Sequence, residues 1–218
     1  RNAIDRAICT ITGHPVEVAT GKVFTDHVDF ALPGPLPFCW ERVWYSTSTY
    51  KGPLGHGWHH SYDAAVYVAS DVVLHRTPDG RLVSFPPLAL GESYFDPNER
   101  LTLHHEGGSY VVQTIDRTSY RFRDIGRPNA EHVLESISNP VGQTIRLLYS
   151  ERRLLVRIVD SPQRTLEQSH DAHGRIVSMN APDPNDPTKR VTVVRYQYDA
   201  VGNLSAWIDP RHQAFRYS

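Results

Sequence analysis

A short pattern repeated along the second half of the chain constrains the fold more than any other feature of the sequence. Each copy has an apolar residue, two other residues and a second apolar residue, and a proline follows within a few positions. The copies begin at Leu134, Leu155, Ile176 and Leu204, and their prolines are Pro140, Pro162, Pro182 and Pro210. The starts are therefore 21, 21 and 28 residues apart, and the longest gap contains a polar, proline-rich segment, 182–190.

Turn-forming residues precede these copies at fixed distances. An aromatic residue lies six positions before each of the last three starts, at Tyr149, His170 and Tyr198. The two clearest copies continue with Asp171 and Gly174, and with Asp199 and Gly202. Aspartate accepts hydrogen bonds from the turn backbone, glycine tolerates positive φ, and a proline ends the returning strand. The pattern predicts one β-hairpin per repeat, and such hairpins must stack to bury their apolar faces.

The rest of the sequence also favours strands over helices. Sixteen prolines are scattered along the chain, and no long window has an apolar stripe with helical spacing. We expect an all-β fold in which antiparallel hairpin repeats form a curved or spiralling sheet after an irregular, aromatic-rich β block. The composition changes near residue 125, which predicts an N-terminal arm (1–12), an opening β domain (13–125) and the first repeats (126–218).

Charge and cysteine content exclude some classes of partner and scaffold. Lys and Arg number 23 and Asp and Glu number 24, so the net charge of −1 gives no electrostatic reason to expect a nucleic-acid or membrane partner. The only cysteines are Cys9 and Cys39, too few for a disulfide scaffold. Two reduced thiols are the favoured interpretation, and a single bridge is the alternative.

Four segments of the chain resemble a known family. The run YDAVGNL (198–204) resembles the defining run of the Rhs (rearrangement hot spot), or YD-repeat, family. The segment GHPVEVATG resembles the opening of many bacterial Rhs cores and contains Gly13, Pro15, Val16, Ala19, Thr20 and Gly21. The later segments ERVWY and GPLGHGW resemble the blocks that follow and contain Trp44, Gly55, Gly57 and Trp58.

This resemblance implies a structural role within a bacterial polymorphic toxin. Members of the family build a hollow shell from a spiralling β-sheet, and the shell encloses a C-terminal toxin. The implied partners are the rest of the shell, the enclosed toxin, an upstream spike-tip domain with the type VI secretion spike, and a chaperone as a further candidate. The implied location is the cytoplasm of the producing bacterium, followed by delivery into a target cell. We also expect an exposed sheet edge near residues 204–218.

Two groups of side chains suggest other functions. His56, His59 and His60 are close enough in sequence to hold a metal ion, but neighbouring strand residues point to opposite faces and no HExxH motif is present. The aromatic residues around Trp40 and Trp58 suit either a core or a sugar-stacking surface. We therefore expect no catalytic, cofactor-binding or metal-ligating residue in this segment. A carbohydrate- or protein-binding module and a metal-dependent enzyme are the alternatives.

Overall fold

The computed structural model describes residues 16–17 and 22–217, which form strands joined by turns and one 3-10 turn at Pro128–Ala130. The strands of the first part are β1 (Val16–Glu17), β2 (Lys22–Leu32), β3 (Phe38–Tyr45), β4 (Lys51–Gly52), β5 (Gly55–His56), β6 (Trp58–His60), β7 (Ala65–Val68), β8 (Val73–Arg76), β9 (Leu82–Phe85) and β10 (Ser93–Asp96). Those of the second part are β11 (Leu101–Glu106), β12 (Ser109–Thr114), β13 (Ser119–Asp124), β14 (Glu131–Ser138), β15 (Thr144–Tyr149), β16 (Leu155–Val159), β17 (Thr165–His170), β18 (Ile176–Pro182), β19 (Arg190–Tyr198), β20 (Leu204–Ile208) and β21 (Ala214–Arg216). The prediction of an all-β fold built from antiparallel hairpins is confirmed.

Most of the chain forms one fifteen-stranded antiparallel sheet. From β10 to β21 every strand pairs with the next strand along the chain. Inward residues alternate with more exposed ones, as in β15, where Ile145 and Leu147 are buried while Arg146 and Leu148 are exposed. This period of two explains why the segments form strands, because one face of each strand covers the core.

The sheet branches at β14. One edge of this strand pairs with β13, whereas the other pairs with β7 at Glu131–Val133 and with β15 at Ser136–Ser138. The branch continues through β8 to β9. Because β13 and β14 pair across residue 125, the sheet continues through the expected domain boundary, and the three-part division of the chain stays a prediction.

A smaller sheet with the order β1-β2-β3-β6 packs against the large one. We call residues 22–63 the opening block and strands β14–β21 the repeat sheet. Phe38, Trp40 and Leu54 of the opening block belong to the same core cluster as Ile158, Leu166 and Ile176 of the repeat sheet. The core therefore lies between the two regions.

Part of the sequence-based interpretation lies outside the described residues. This applies to the arm 1–12 and to Gly13, Pro15, Ala19, Thr20 and Gly21, whereas the backbone of Val16 pairs with that of Val23 in β1 and β2. It also applies to Cys9, so the state of the two cysteines stays a prediction. At the other end, β21 pairs with β20 on one edge and has no second strand neighbour among the described residues.

Candidate functional site

One five-residue turn makes six of the seven connections in the repeat sheet. In each copy the first residue donates its backbone N–H to the carbonyl of the fifth, and its own carbonyl accepts from the N–H of the fourth. The side chain of the first residue also accepts a hydrogen bond from the N–H of the fifth. The first residues are Asn139, Ser150, Asp160, Asp171, Asp199 and Asp209. Asp171 and Asp199 are the first residues of two of these turns, and the other four turns have the same geometry.

The fourth residue of every turn has positive φ, from +61° at Arg153 to +93° at Gly202. Gly142, Gly174 and Gly202 adopt this conformation without strain, but Arg153, Gln163 and His212 adopt it with a side chain. Pro140, Pro162 and Pro210 lie inside turns, at the second or third position, and Pro182 is the last residue of β18. The exception among the connections is the segment between Pro182 and Arg190, which contains mostly exposed residues.

The repeat aromatics lie at bulges immediately before three of these turns. The register shifts before Tyr149, His170 and Tyr198, which pair with Leu155, Ile176 and Leu204. The Tyr149 hydroxyl donates to the carbonyl of Leu134 at 2.7 Å, and the Tyr198 hydroxyl donates to that of Ile176 at 2.6 Å. Each tyrosine therefore reaches the first apolar residue of the preceding repeat and ties neighbouring hairpins together.

Loops of the opening block contact the turns of the repeat sheet. Ser161 Oγ accepts from the Leu36 N–H at 3.0 Å and donates to the Leu36 carbonyl at 2.8 Å. The Pro53 carbonyl accepts a hydrogen bond from the Ile176 N–H at 2.8 Å. Gly55 has φ +87°, and a Cβ there would lie 2.6 Å from the Gly202 carbonyl oxygen. The motif glycine at 55 is thus required both by its backbone conformation and by its close approach to a repeat turn.

A buried ion pair of the opening block bonds to a tyrosine of the repeat sheet and to the tyrosine directly after its last strand. Arg42 donates two hydrogen bonds of 2.6 Å to the Asp29 carboxylate, and neither side chain is exposed. The Tyr196 hydroxyl donates to Asp29 and accepts from Trp40 Nε1, while Arg42 donates to the Tyr217 hydroxyl at 3.1 Å. Although burial opposes its ionisation, hydrogen bonds from His27, Arg42 and Tyr196 lower the pKa of Asp29. Tyrosines from β19 and beyond β21 thereby anchor the repeat sheet to the opening block.

A second buried cation joins the opening block to β8 and β14. Arg76 lies 3.2 Å from Asp63 Oδ1 and 3.0 Å from Glu131 Oε1, and its guanidinium stacks over the Tyr50 ring at 4.4 Å from the ring centroid. A hydrogen bond to the Tyr67 hydroxyl completes its environment. Sequence reasoning missed this cluster and the Asp29–Arg42 pair, since arginines at 42 and 76 have no local signal that marks them as buried.

The histidine hypothesis for a metal site finds no support in the geometry. His56 is exposed, whereas His59 stacks on Tyr50 and His60 stacks on Trp40. Burial lowers the pKa of His59 to about 4 and that of His60 to about 3, so both rings are neutral at pH 7. Within the part of the chain that the structure describes, no three His, Cys, Asp or Glu side chains converge as metal ligands. The prediction that the segment binds no metal is otherwise untested.

The aromatic residues of the opening block mostly serve the core. Trp40 is fully buried, Trp58 is 5% exposed, and Trp44 is half-buried opposite Trp58 in the β3–β6 pair. Gly57 lies beside Trp44, and a Cβ there would lie 2.7 Å from Trp44 Nε1. Buried rings cannot stack on a sugar, so this cluster holds the opening block together instead.

A cavity of about 500 Å³ lies between the two regions. Its wall includes His60, Tyr62 and Asp63 from the opening block and Gln168 and His170 from β17. Gln168 is 7% exposed, and neither atom of its carboxamide has a hydrogen-bond partner among the described residues. Sequence reasoning missed Gln168, although a comparison of repeat positions places it where Leu147 and Tyr196 stand in the flanking repeats.

Comparison with known proteins shows what this chain resembles. Residues 13–85 match a family model described as Domain of unknown function (DUF6531). The chain is 23% identical over 214 residues to "Double-stranded DNA deaminase toxin A" of Burkholderia cenocepacia, a match that covers 95% of this chain and 15% of that protein. It is 25% identical over 231 residues to "Probable deoxyribonuclease RhsA" of Dickeya dadantii, covering 93% of this chain and 16% of that protein. It thus spans less than a fifth of the length of these curated relatives.

Among the described residues no helix is long and apolar enough to cross a membrane.

Proposed function

We propose that the chain is a segment of an Rhs-family protein, which its similarity to RhsA over 93% of its length supports, and that it forms a non-catalytic wall with which a larger toxin encloses its own C-terminal toxin region. In this proposal the segment has a structural role and carries no catalytic residue. Consecutive hairpins extend a sheet, and the sheet separates an enclosed polypeptide from its surroundings. The names of the two relatives above describe a DNA deaminase toxin and a probable deoxyribonuclease, and we assign any such activity to parts outside this segment.

The observation that carries the proposal is the continuous pairing of the fifteen-stranded sheet. A wall must extend in one direction without gaps, and from β10 to β21 each strand pairs with the next one. Repeated units of this kind bury a continuous surface only when neighbours stack on both sides. The second edge of β21 has no strand neighbour among the described residues, which makes it the natural place for the next hairpin.

The opening block supports a second part of the proposal. It covers the inner face of the repeat sheet and contacts it at several turns, through Leu36, Pro53 and Gly55. A block fixed in this way would close the wall at its beginning. We further propose that the partners are the remaining shell, the enclosed toxin, an upstream spike-tip domain with its secretion spike, and a chaperone. Assembly in the producing cell's cytoplasm and delivery to a target cell belong to the same proposal.

Protease protection in the full-length protein tests this function. The C-terminal toxin region of the intact protein should resist a protease that rapidly degrades the same region expressed alone. Trp207→Asp places a charge at a side chain that is 7% exposed on β20, and should speed cleavage of the toxin region about tenfold or more by loosening the wall. Val201→Asp, at a turn residue that is 83% exposed, is the matched control and should leave protection unchanged. Cleavage of the wild-type toxin region as fast as in isolation would contradict the proposal.

A further inference from the structure

Equivalent positions in three repeats differ where they face the opening block. The last residue of the strand before the turn is Tyr149, His170 or Tyr198. Two positions earlier stand Leu147, Gln168 and Tyr196, which are all buried. The middle repeat therefore has a polar pair, Gln168 and His170, where both flanking repeats have an apolar or aromatic residue followed by tyrosine.

The flanking tyrosines show what is missing from the middle repeat. Their hydroxyls donate to the carbonyls of Leu134 and Ile176, each the first apolar residue of a repeat. By the same register, a tyrosine at position 170 would reach the carbonyl of Leu155. The imidazole of His170 is shorter than a phenol, and no hydrogen bond from it to Leu155 is formed within the described part of the chain.

The cavity lies beside His170 and Leu155. Leu155, Gln168, His170 and Ile176 are all part of its wall, and its volume is about 500 Å³. Exposed side chains of Lys51, Asn129 and His173 also border it, so it is open to solvent on one side. Pockets of this size bind small organic groups.

The buried carboxamide of Gln168 indicates that the cavity is more than a packing defect. Leaving a buried amide without partners is unfavourable, and Leu147 shows that this sheet position accepts an apolar side chain. Local choices that contradict the rest of a fold are most often found at functional sites. A carboxamide offers both donor and acceptor atoms, which together match a peptide group or a hydroxyl.

We propose that this cavity binds a phenolic group, whose hydroxyl takes the place of the tyrosine hydroxyls in the neighbouring repeats. The phenol hydroxyl donates to the Leu155 carbonyl, and its ring fills the space beside His170. When the phenol is a tyrosine side chain, the Gln168 carboxamide pairs with the peptide groups next to it. The phenol can come from the tyrosine side chain of another polypeptide segment or from a small free phenol.

Titration calorimetry of the 218-residue chain with defined probes tests the proposal. The probes are p-cresol, N-acetyl-L-tyrosine amide and N-acetyl-L-phenylalanine amide, which lacks the hydroxyl. His170→Tyr restores the residue of the flanking repeats and should fill the cavity from within, and Gln168→Leu restores the residue found at 147. Ser169→Ala, at an exposed position of the same strand, is the matched control.

We expect saturable binding of the tyrosine derivative and binding about tenfold weaker for the phenylalanine derivative, because one hydrogen bond is lost. His170→Tyr should abolish binding and raise Tm, while Ser169→Ala should change neither. Tighter binding of the tyrosine derivative than of p-cresol, with the difference removed by Gln168→Leu, would identify a polypeptide as the source. Equal binding of the two would identify a small phenol. Absence of saturable binding to the wild type, or unchanged binding to His170→Tyr, would overturn the proposal.

Discussion

In the repeat sheet the hydrogen bonds that close each turn join groups within four residues of one another, as in Asn139 and Gln143. In the opening block, by contrast, Trp40 bonds to Tyr196 across 156 residues, and Leu36 bonds to Ser161 across 125. Many separate local hydrogen bonds thus determine the structure of the repeat sheet, whereas a few distant contacts determine how the opening block packs. The difference teaches that the two regions should respond very differently to a single substitution.

The largest effect should follow from removing the buried cation of the opening block. Arg42→Met leaves the Asp29 carboxylate buried without its counter-ion, and should lower the free energy of unfolding by about 3–5 kcal/mol. Urea denaturation at about pH 7.5, well above the range in which carboxylates titrate, measures this loss. Arg157→Met, at an exposed position of the repeat sheet, is the control and should stay within about 0.5 kcal/mol of the wild type. A similar small change for Arg42→Met would show that the buried ion pair and the Tyr217 contact of Arg42 matter little.

A smaller effect should appear on acidification, again in the opening block. Burial lowers the pKa of His60 to about 3, and an unfolded histidine titrates near 6.5. Between these values the unfolded chain binds more protons, so this residue lowers stability as pH falls, by about 1.4 kcal/mol per unit. Its contribution is constant above about pH 6.5.

His60→Phe keeps a ring stacked on Trp40 and removes the titration. Between about pH 6.5 and 4.5 the variant should therefore gain about 3 kcal/mol relative to the wild type. Urea denaturation at a series of pH values measures this difference. The control is His56→Gln, at an exposed position, whose stability relative to the wild type should not change over the same pH range. Parallel pH profiles for wild type and His60→Phe would contradict the buried neutral state of His60.

The smallest effect should come from one turn of the repeat sheet. Gly142 has φ +84°, and a Cβ there would meet no atom within 4 Å, so Gly142→Ala adds backbone strain alone, about 1 kcal/mol. Gln163→Gly, at the equivalent position of another turn, should have the opposite sign because it relieves such strain. Thermal denaturation measures both shifts, and Val141→Ala at an exposed turn residue serves as the control. Shifts of equal sign would show that the turns are not equivalent.

The same contrast explains how much could be predicted from the sequence. The hairpins were predictable because Asp199 and Gly202 encode their turn within five residues, and the period of two assigns the buried face. The positive φ of Arg153, Gln163 and His212 was not predictable, since the surrounding turn imposes it on residues that do not favour this conformation. The contact of Asp29 with Tyr196 depends on how two sheets meet, which no local spacing encodes. Gln168 could have been found by aligning the repeats position by position.

The branch at β14 gives the sheet a mechanical order. A force pulling on the C-terminal strand would peel β21, β20 and the hairpins before them one at a time, breaking their contacts with the opening block as it proceeds, since each strand keeps a single ladder on its remaining side. Peeling would slow at β14, whose ladders with β13 and β7 must break together. The strand would therefore act as a stop that shields the early part of the molecule from damage propagating backwards along the sheet.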